Sequence, residues 1–137
     1  MKGKSFMSDL ESARNMFRKA LSDFKALSGM LDSDIFSEEI FGFHAQQAVE
    51  KALKAWITQI GIKYPYSHDI AALLTILKDH GEDVDKLWDL VEFNIYAIQF
   101  RYPGEEYQDE KIDRIETIES VSQIVNLVKD KIQTSNQ

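Results

Sequence analysis

Three short stretches hold most of the side chains able to bind a ligand or move a proton. The first is Phe43-His44-Ala45-Gln46-Gln47-Ala48-Val49-Glu50-Lys51-Ala52-Leu53-Lys54-Ala55. At about 100° per residue on a helix, His44, Gln47, Lys51 and Lys54 fall along one side. An imidazole, an amide and two ammonium groups in such a row can donate hydrogen bonds to a phosphate or to a partner's carboxylates. The plainer reading is a solvated face on which Glu50 and Lys54 form an ordinary i,i+4 pair, as exposed charges on helices usually do.

The second stretch is Tyr66-Ser67-His68-Asp69. Ser67 reads as an N-cap, which places His68 and Asp69 in the first turn of a helix, where Asp69 answers the helix dipole. His68 is a candidate for proton transfer, although a histidine at a helix start more often packs or hydrogen-bonds locally. A Ser-His-Asp protease triad is excluded. Three consecutive residues cannot form the chain from nucleophile to base to orienting acid that a fold has to assemble.

The third stretch is Phe100-Arg101-Tyr102-Pro103-Gly104-Glu105-Glu106-Tyr107. Arg101 is a permanently charged fork suited to phosphate or carboxylate. Tyr102 and Tyr107 can stack on a base, donate a hydrogen bond or accept a modification. The plainer reading has Arg101 stabilising a helix C-terminus, Pro103-Gly104 making a turn, and Glu105 and Glu106 neutralising the arginine. Metal chemistry has little support. His44, His68 and His80 lie on separate segments without HExxH spacing, and there is no cysteine to supply a thiolate. No glycine-rich phosphate loop is present, so neither a metal nor a cofactor is expected.

The elements that must position these groups read as helices. The chain has 137 residues, 44% hydrophobic and 28% charged, with only 2 Pro and 6 Gly to interrupt it. That is one domain of ordinary globular composition, 1–137 with a core at about 8–132 and a polar tail at 133–137. Ser8-Asp9-Leu10-Glu11 has capping-box spacing, and Leu10, Ala13, Phe17, Ala20, Leu21, Phe24 and Leu27 then recur at helical steps. Ser37, Glu38 and Glu39 open a second helix that Gly61 ends. A third runs from Ser67 to His80-Gly81. The pattern predicts a fourth from about Val84 to Arg101 and a fifth from about Asp113 to Ile132. Short connections between them predict an all-α, up-and-down bundle of four to five antiparallel helices.

Lys and Arg number 16 against 23 Asp and Glu, a net charge of −7. General nucleic-acid binding by bulk charge is therefore excluded, because counterion release needs clustered cations. The N-terminal residues show no signal peptide, and no apolar run approaches the roughly 18 residues of a membrane helix. A cytoplasmic, soluble domain without a membrane segment is the expectation.

Taken in order, HAQQAVEKALKA at 44–55, Gly61, Pro65, Ser67-His68-Asp69 and Phe100-Arg101-Tyr102-Pro103 resemble the HEPN domain, over about residues 8–132. The resemblance implies a four- or five-helix bundle that commonly dimerises. It also implies, for many prokaryotic members, a minimal nucleotidyltransferase partner in a toxin–antitoxin pair. There the HEPN protein is typically a ribonuclease, silenced by complex formation or by AMP transfer to a tyrosine. Ribonuclease members carry Arg, four to six residues, then His, and two such motifs meet across the dimer in a metal-independent site.

Arg101 matches that arginine, but no histidine follows it; His80 is the last in the chain. The expectation is a homodimeric module that binds a nucleotidyltransferase and a nucleotide through His44, Gln47, Lys51, Arg101 and Tyr102. Tyr107 then stands in the tyrosine region that partnered members have modified. The alternative is a degenerate ribonuclease in which Arg101 holds the phosphate of RNA and His44 or His68 from elsewhere in the dimer moves the proton. A third reading is a plain interaction bundle whose polar clusters are structural.

Overall fold

The computed structural model describes the backbone of residues 2–97 and 111–135 and the side chains of 9–97 and 111–135. Among the described residues are four α-helices, α1 (Lys2–Ser28), α2 (Glu38–Gln59), α3 (Ile70–Asp79) and α4 (Arg114–Ser135), with a 3-10 helix at Asp85–Tyr96 between α3 and α4. The fold is all-α, a helical bundle.

Local chemistry explains the helix ends. Ser37 takes extended dihedrals and its Oγ accepts from the Ile40 amide, so α2 starts where a serine followed by two glutamates says it should. At the other end Gly61 has φ +84, the Gly61 amide bonds to Thr58 O and the Ile62 amide to Ile57 O. That is a Schellman ending, and it needs the left-handed conformation that glycine adopts without penalty. Gly81 (φ +86) ends α3 in the same way, through Gly81 to Lys78 O and Glu82 to Leu77 O.

Helix α2 is the axis of the bundle. It packs against α1 and α4 on one side and α3 and the 3-10 helix on the other. Phe41, Ala45, Ala48, Val49, Ala52, Leu53, Trp56 and Ile57 are all essentially inaccessible. A helix apolar on most sides is one that is buried all round. Fully burying each large side chain stabilises the fold by about 1.5–3 kcal/mol before entropy is subtracted, so the core is concentrated on this one element. Among the described residues no helix is long and apolar enough to cross a membrane.

Four expectations are corrected. Helix α1 begins at Lys2, so Ser8 lies inside it and the capping-box spacing marks no start. The cap of α3 is Asp69, whose carboxylate accepts from the Ala71 amide, while Ser67 Oγ accepts from the Asp69 amide one step earlier. His68 therefore precedes the helix instead of sitting in its first turn. Asp69 is selected by a distant partner: Asn94 of the 3-10 helix donates to Asp69 Oδ1 (2.8 Å) and accepts from the Ile70 amide (2.9 Å). The segment from Asp85 winds in 3-10 turns to Tyr96, and the rest of the helix expected to reach Arg101 falls outside the described residues. Finally, α4 continues through Ser135, past the Ile132 end that periodicity suggested.

Candidate functional site

The side chains of interest project from α2 in two rows. On the outer row, His44 and Lys51 converge on one carboxylate of α1. His44 Nδ1 lies 3.2 Å from Asp23 Oδ1, and Lys51 Nζ donates to Asp23 Oδ2 at 2.6 Å. The side chains of His44 and Lys51 are 25% and 26% exposed, so both reach water. A carboxylate can only accept, which puts the His44 proton on Nδ1 and turns Nε2 into an acceptor. Gln47 belongs to the same side but donates to Gln46 Oε1 at 2.7 Å. The structure thus brings His44 and Lys51 together on Asp23, whose carboxylate answers the Lys51 charge.

The inner row is Gln46, Glu50 and Lys54, spaced by one helical turn and buried. Gln46 Nε2 donates to Glu50 Oε1 at 2.9 Å, and Lys54 Nζ donates to Glu50 Oε2 at 3.0 Å. Lys54 also lies over the Tyr64 ring, 5.2 Å from its centroid. The Glu50–Lys54 pair is therefore present but internal, which corrects its reading as a solvated surface pair. Burial pushes the Glu50 carboxyl up, but hydrogen bonds from Gln46, His68 and Lys54, with the Lys54 charge, outweigh it and hold the group below the usual carboxylate range.

His68 joins this inner row from the α2–α3 connection. Its Nδ1 lies 2.9 Å from Glu50 Oε1, and its carbonyl oxygen accepts from Gln46 Nε2 at 3.1 Å. The Glu50 side chain is 5% exposed and that of His68 is 71% exposed. A surface imidazole is thus held at ring and backbone by buried groups, with the Nδ1 proton fixed by a carboxylate and Nε2 directed away from it. Such an arrangement presets a tautomer and an orientation, the two things an acid–base group needs. Sequence reasoning placed His68 and Glu50 in different clusters. The available signal was that Gln46, Glu50 and Lys54 form an i,i+4,i+8 row flanked by Ala45, Val49, Leu53 and Ile57, a row that needs polar partners within the fold.

His80, the remaining histidine, bonds through Nδ1 to Ile76 O at 2.8 Å and serves its own helix end. Arg101, Tyr102, Glu105, Glu106 and Tyr107 lie outside the described residues, so the arginine is not placed relative to His44 or His68. Among the described residues no group of three or more His, Cys, Asp or Glu side chains is arranged to hold a metal ion.

A buried arginine that sequence reasoning passed over ties the bundle together where α4 begins. Arg114 Nη1 donates to Met30 O and Nη2 to Phe36 O, both at 2.7 Å, and Nη2 also reaches Glu38 Oε1. Its guanidinium lies 4.7 Å over the Phe41 ring. The Ile112 amide donates to Glu38 Oε2 at 2.6 Å. Burial raises the Glu38 carboxyl, and the Arg114 and Ile112 hydrogen bonds with the nearby Arg114 and Lys111 charges more than reverse it, leaving it lowered.

The HEPN domain family model matches residues 13–131. No curated protein and no solved structure matches the chain.

Proposed function

The chain belongs to the HEPN domain family, and from that premise we propose that it is a dimerising helical module that does not cleave RNA itself. In this reading it binds a minimal nucleotidyltransferase partner and a nucleotide, as in toxin–antitoxin pairs. One observation carries the proposal: Arg101 is followed by Tyr102, Pro103, Gly104, Glu105, Glu106 and Tyr107, and no histidine occurs after His80. The proton-transfer group of the ribonuclease motif is absent from its place, and such a group contributes about 10²–10⁴-fold to rate. Glu105 and Glu106 beside the arginine also repel an RNA backbone.

Lys51, partly exposed and with ammonium protons beyond the one given to Asp23, supplies a donor suited to a phosphate, with His44 and Gln47 on the same side of α2. Arg101 and Tyr102 add a guanidinium fork and a stacking ring to that role, and Tyr107 is the candidate for modification by the partner. HEPN proteins commonly dimerise, which supports a homodimer. Co-expression with the product of the adjacent gene tests the reading. A stable complex with a small nucleotidyltransferase is the expected result. A chain that purifies as a monomer, takes up no partner and shows no thermal shift with nucleotides overturns it.

A second reading has its own observation. The Glu50–His68 pair offers an oriented imidazole with Nε2 exposed, which favours His68 over His44 as the base of a degenerate, metal-independent ribonuclease using Arg101 for phosphate. Incubating RNA with wild type, Arg101→Ala, His68→Ala and His44→Ala separates the cases. Loss in the first two variants alone supports this reading, and equal cleavage by all four marks contamination.

A further inference from the structure

The end of the bundle where α4 begins carries exposed aliphatic side chains on a rigid frame. Leu31 (54% exposed) and Ile115 (72%) line one cleft with Lys111, Asp113 and Arg114, and Ile35 (70%) stands in the same α1–α2 loop. The loop is fixed from both sides. Asp32 O accepts the Ile35 and Phe36 amides, and Arg114 clamps Met30 O and Phe36 O from α4. Isolated exposed aliphatics need no explanation, but a preorganised group of them on a fixed loop is the form of a docking site.

The charge around it selects the occupant. Asp113 is exposed in the cleft and Asp32 and Asp34 are exposed on the adjoining loop that carries Leu31 and Ile35, against the single exposed cation Lys111 among the described residues of the cleft. Arg114 and Glu38 neutralise each other. An apolar centre with an acidic rim rejects nucleic acid and anionic membranes, and it disfavours a second copy, whose own acidic rim it would face. We propose that the cleft lined by Leu31 and Ile115, with Ile35 on the adjoining loop, docks a protein segment presenting an apolar face flanked by Lys or Arg, the surface by which a partner engages this module. The proposal rests on the reading above that the chain works through a protein partner.

A labelled amphipathic helical peptide of leucine and lysine, and its leucine–glutamate counterpart, are suitable probes for anisotropy titrations. The variants are Leu31→Ser with Ile115→Ser, which removes apolar surface without altering charge, and Asp79→Asn with Asp83→Asn as an acidic control elsewhere. The lysine peptide is expected to bind wild type and the control alike, and at least about tenfold more weakly to the serine double variant, with no binding of the glutamate peptide. Equal binding to wild type and the serine variant would show bulk attraction and overturn the docking surface, as would no binding at all. So would concentration-dependent self-association that the serine variant abolishes, since a second copy would then cover the cleft. If a nucleotidyltransferase binds wild type and the serine variant equally, only this surface fails. If none binds either protein, the partner reading itself fails.

Discussion

Replacing Gly42 with alanine sets two effects of known size against each other. Gly42 lies inside α2, where alanine is favoured over glycine by roughly 1 kcal/mol because glycine loses more backbone freedom on folding. At an exposed position that gain would stand. Here a Cβ on residue 42 would come within 2.6 Å of Tyr96 Cδ2 and closer still to Cγ and Cδ1. Carbon atoms pack at about 3.5–4.0 Å, so the ring must retreat by about 1 Å. Tyr96 is 7% exposed at the end of the 3-10 helix and borders a cleft that it shares with Phe93, Ile112 and Thr117, so making room means moving the ring, or the helix that carries it, away from α2. Overpacking costs about 1–3 kcal/mol, and with three ring atoms overlapped the upper part of that range, about 2–3 kcal/mol, applies and exceeds the propensity gain. The net expectation is a loss of about 1–2 kcal/mol, roughly 3–10 °C in Tm for a chain of this length. Thermal unfolding followed by circular dichroism measures it. The double variant Gly42→Ala with Tyr96→Ala should lose less than the sum of the single losses, because the clash vanishes with the ring. An unchanged or raised Tm for Gly42→Ala would refute the close approach of α2 and the 3-10 helix.

Three further outcomes follow from the other contacts. Arg114→Met leaves two carbonyls and Glu38 without their partner and should cost about 3 kcal/mol in urea unfolding, and Arg114→Lys should recover little because an ammonium cannot reproduce the fork. Glu50 is held below its ordinary value of 4.5 in the fold, so its contribution to stability is complete above about pH 4.5 and is lost as pH falls through the lower folded value. The stability gap between wild type and Glu50→Gln should therefore narrow on acidification below that point; a gap constant from about pH 5 to pH 3 would count against the buried network. Asp23→Asn frees His44 and Lys51 for an anion, so calorimetric titration should find AMP bound about fivefold tighter, close to the 1 kcal/mol of a partly exposed pair, and weaker binding would argue against that face.

The features that could be read from sequence are those decided by a few neighbouring residues. Ser37 with Glu38 and Glu39, Gly61, and His80-Gly81 mark helix ends through local hydrogen bonds and a left-handed turn, and they do so in the structure as well. Ser8 misled because a capping box is only an option. Lys2–Met7 contain no proline, so the helix can extend past it. Ser67 reads as the cap and Asp69 as a first-turn residue, but the cap is Asp69, which Asn94, 25 residues further on, also holds. The candidate site shows the same division. His44, Gln47 and Lys51 on one side of α2 were legible from spacing, but Lys54, read into the same row, is buried beside Glu50, and the Asp23 that holds His44 and Lys51 comes from another helix. The Glu50–His68 pair and the Arg114 anchor depend on which elements pack together, and periodicity carries no record of that.

The mass of the chain co-purified with the product of the adjacent gene, measured by light scattering, tests the central claim most directly. One particle that contains both proteins and at least two copies of this 15.8 kDa chain is the expected result. A single chain eluting alone at 15.8 kDa would contradict it.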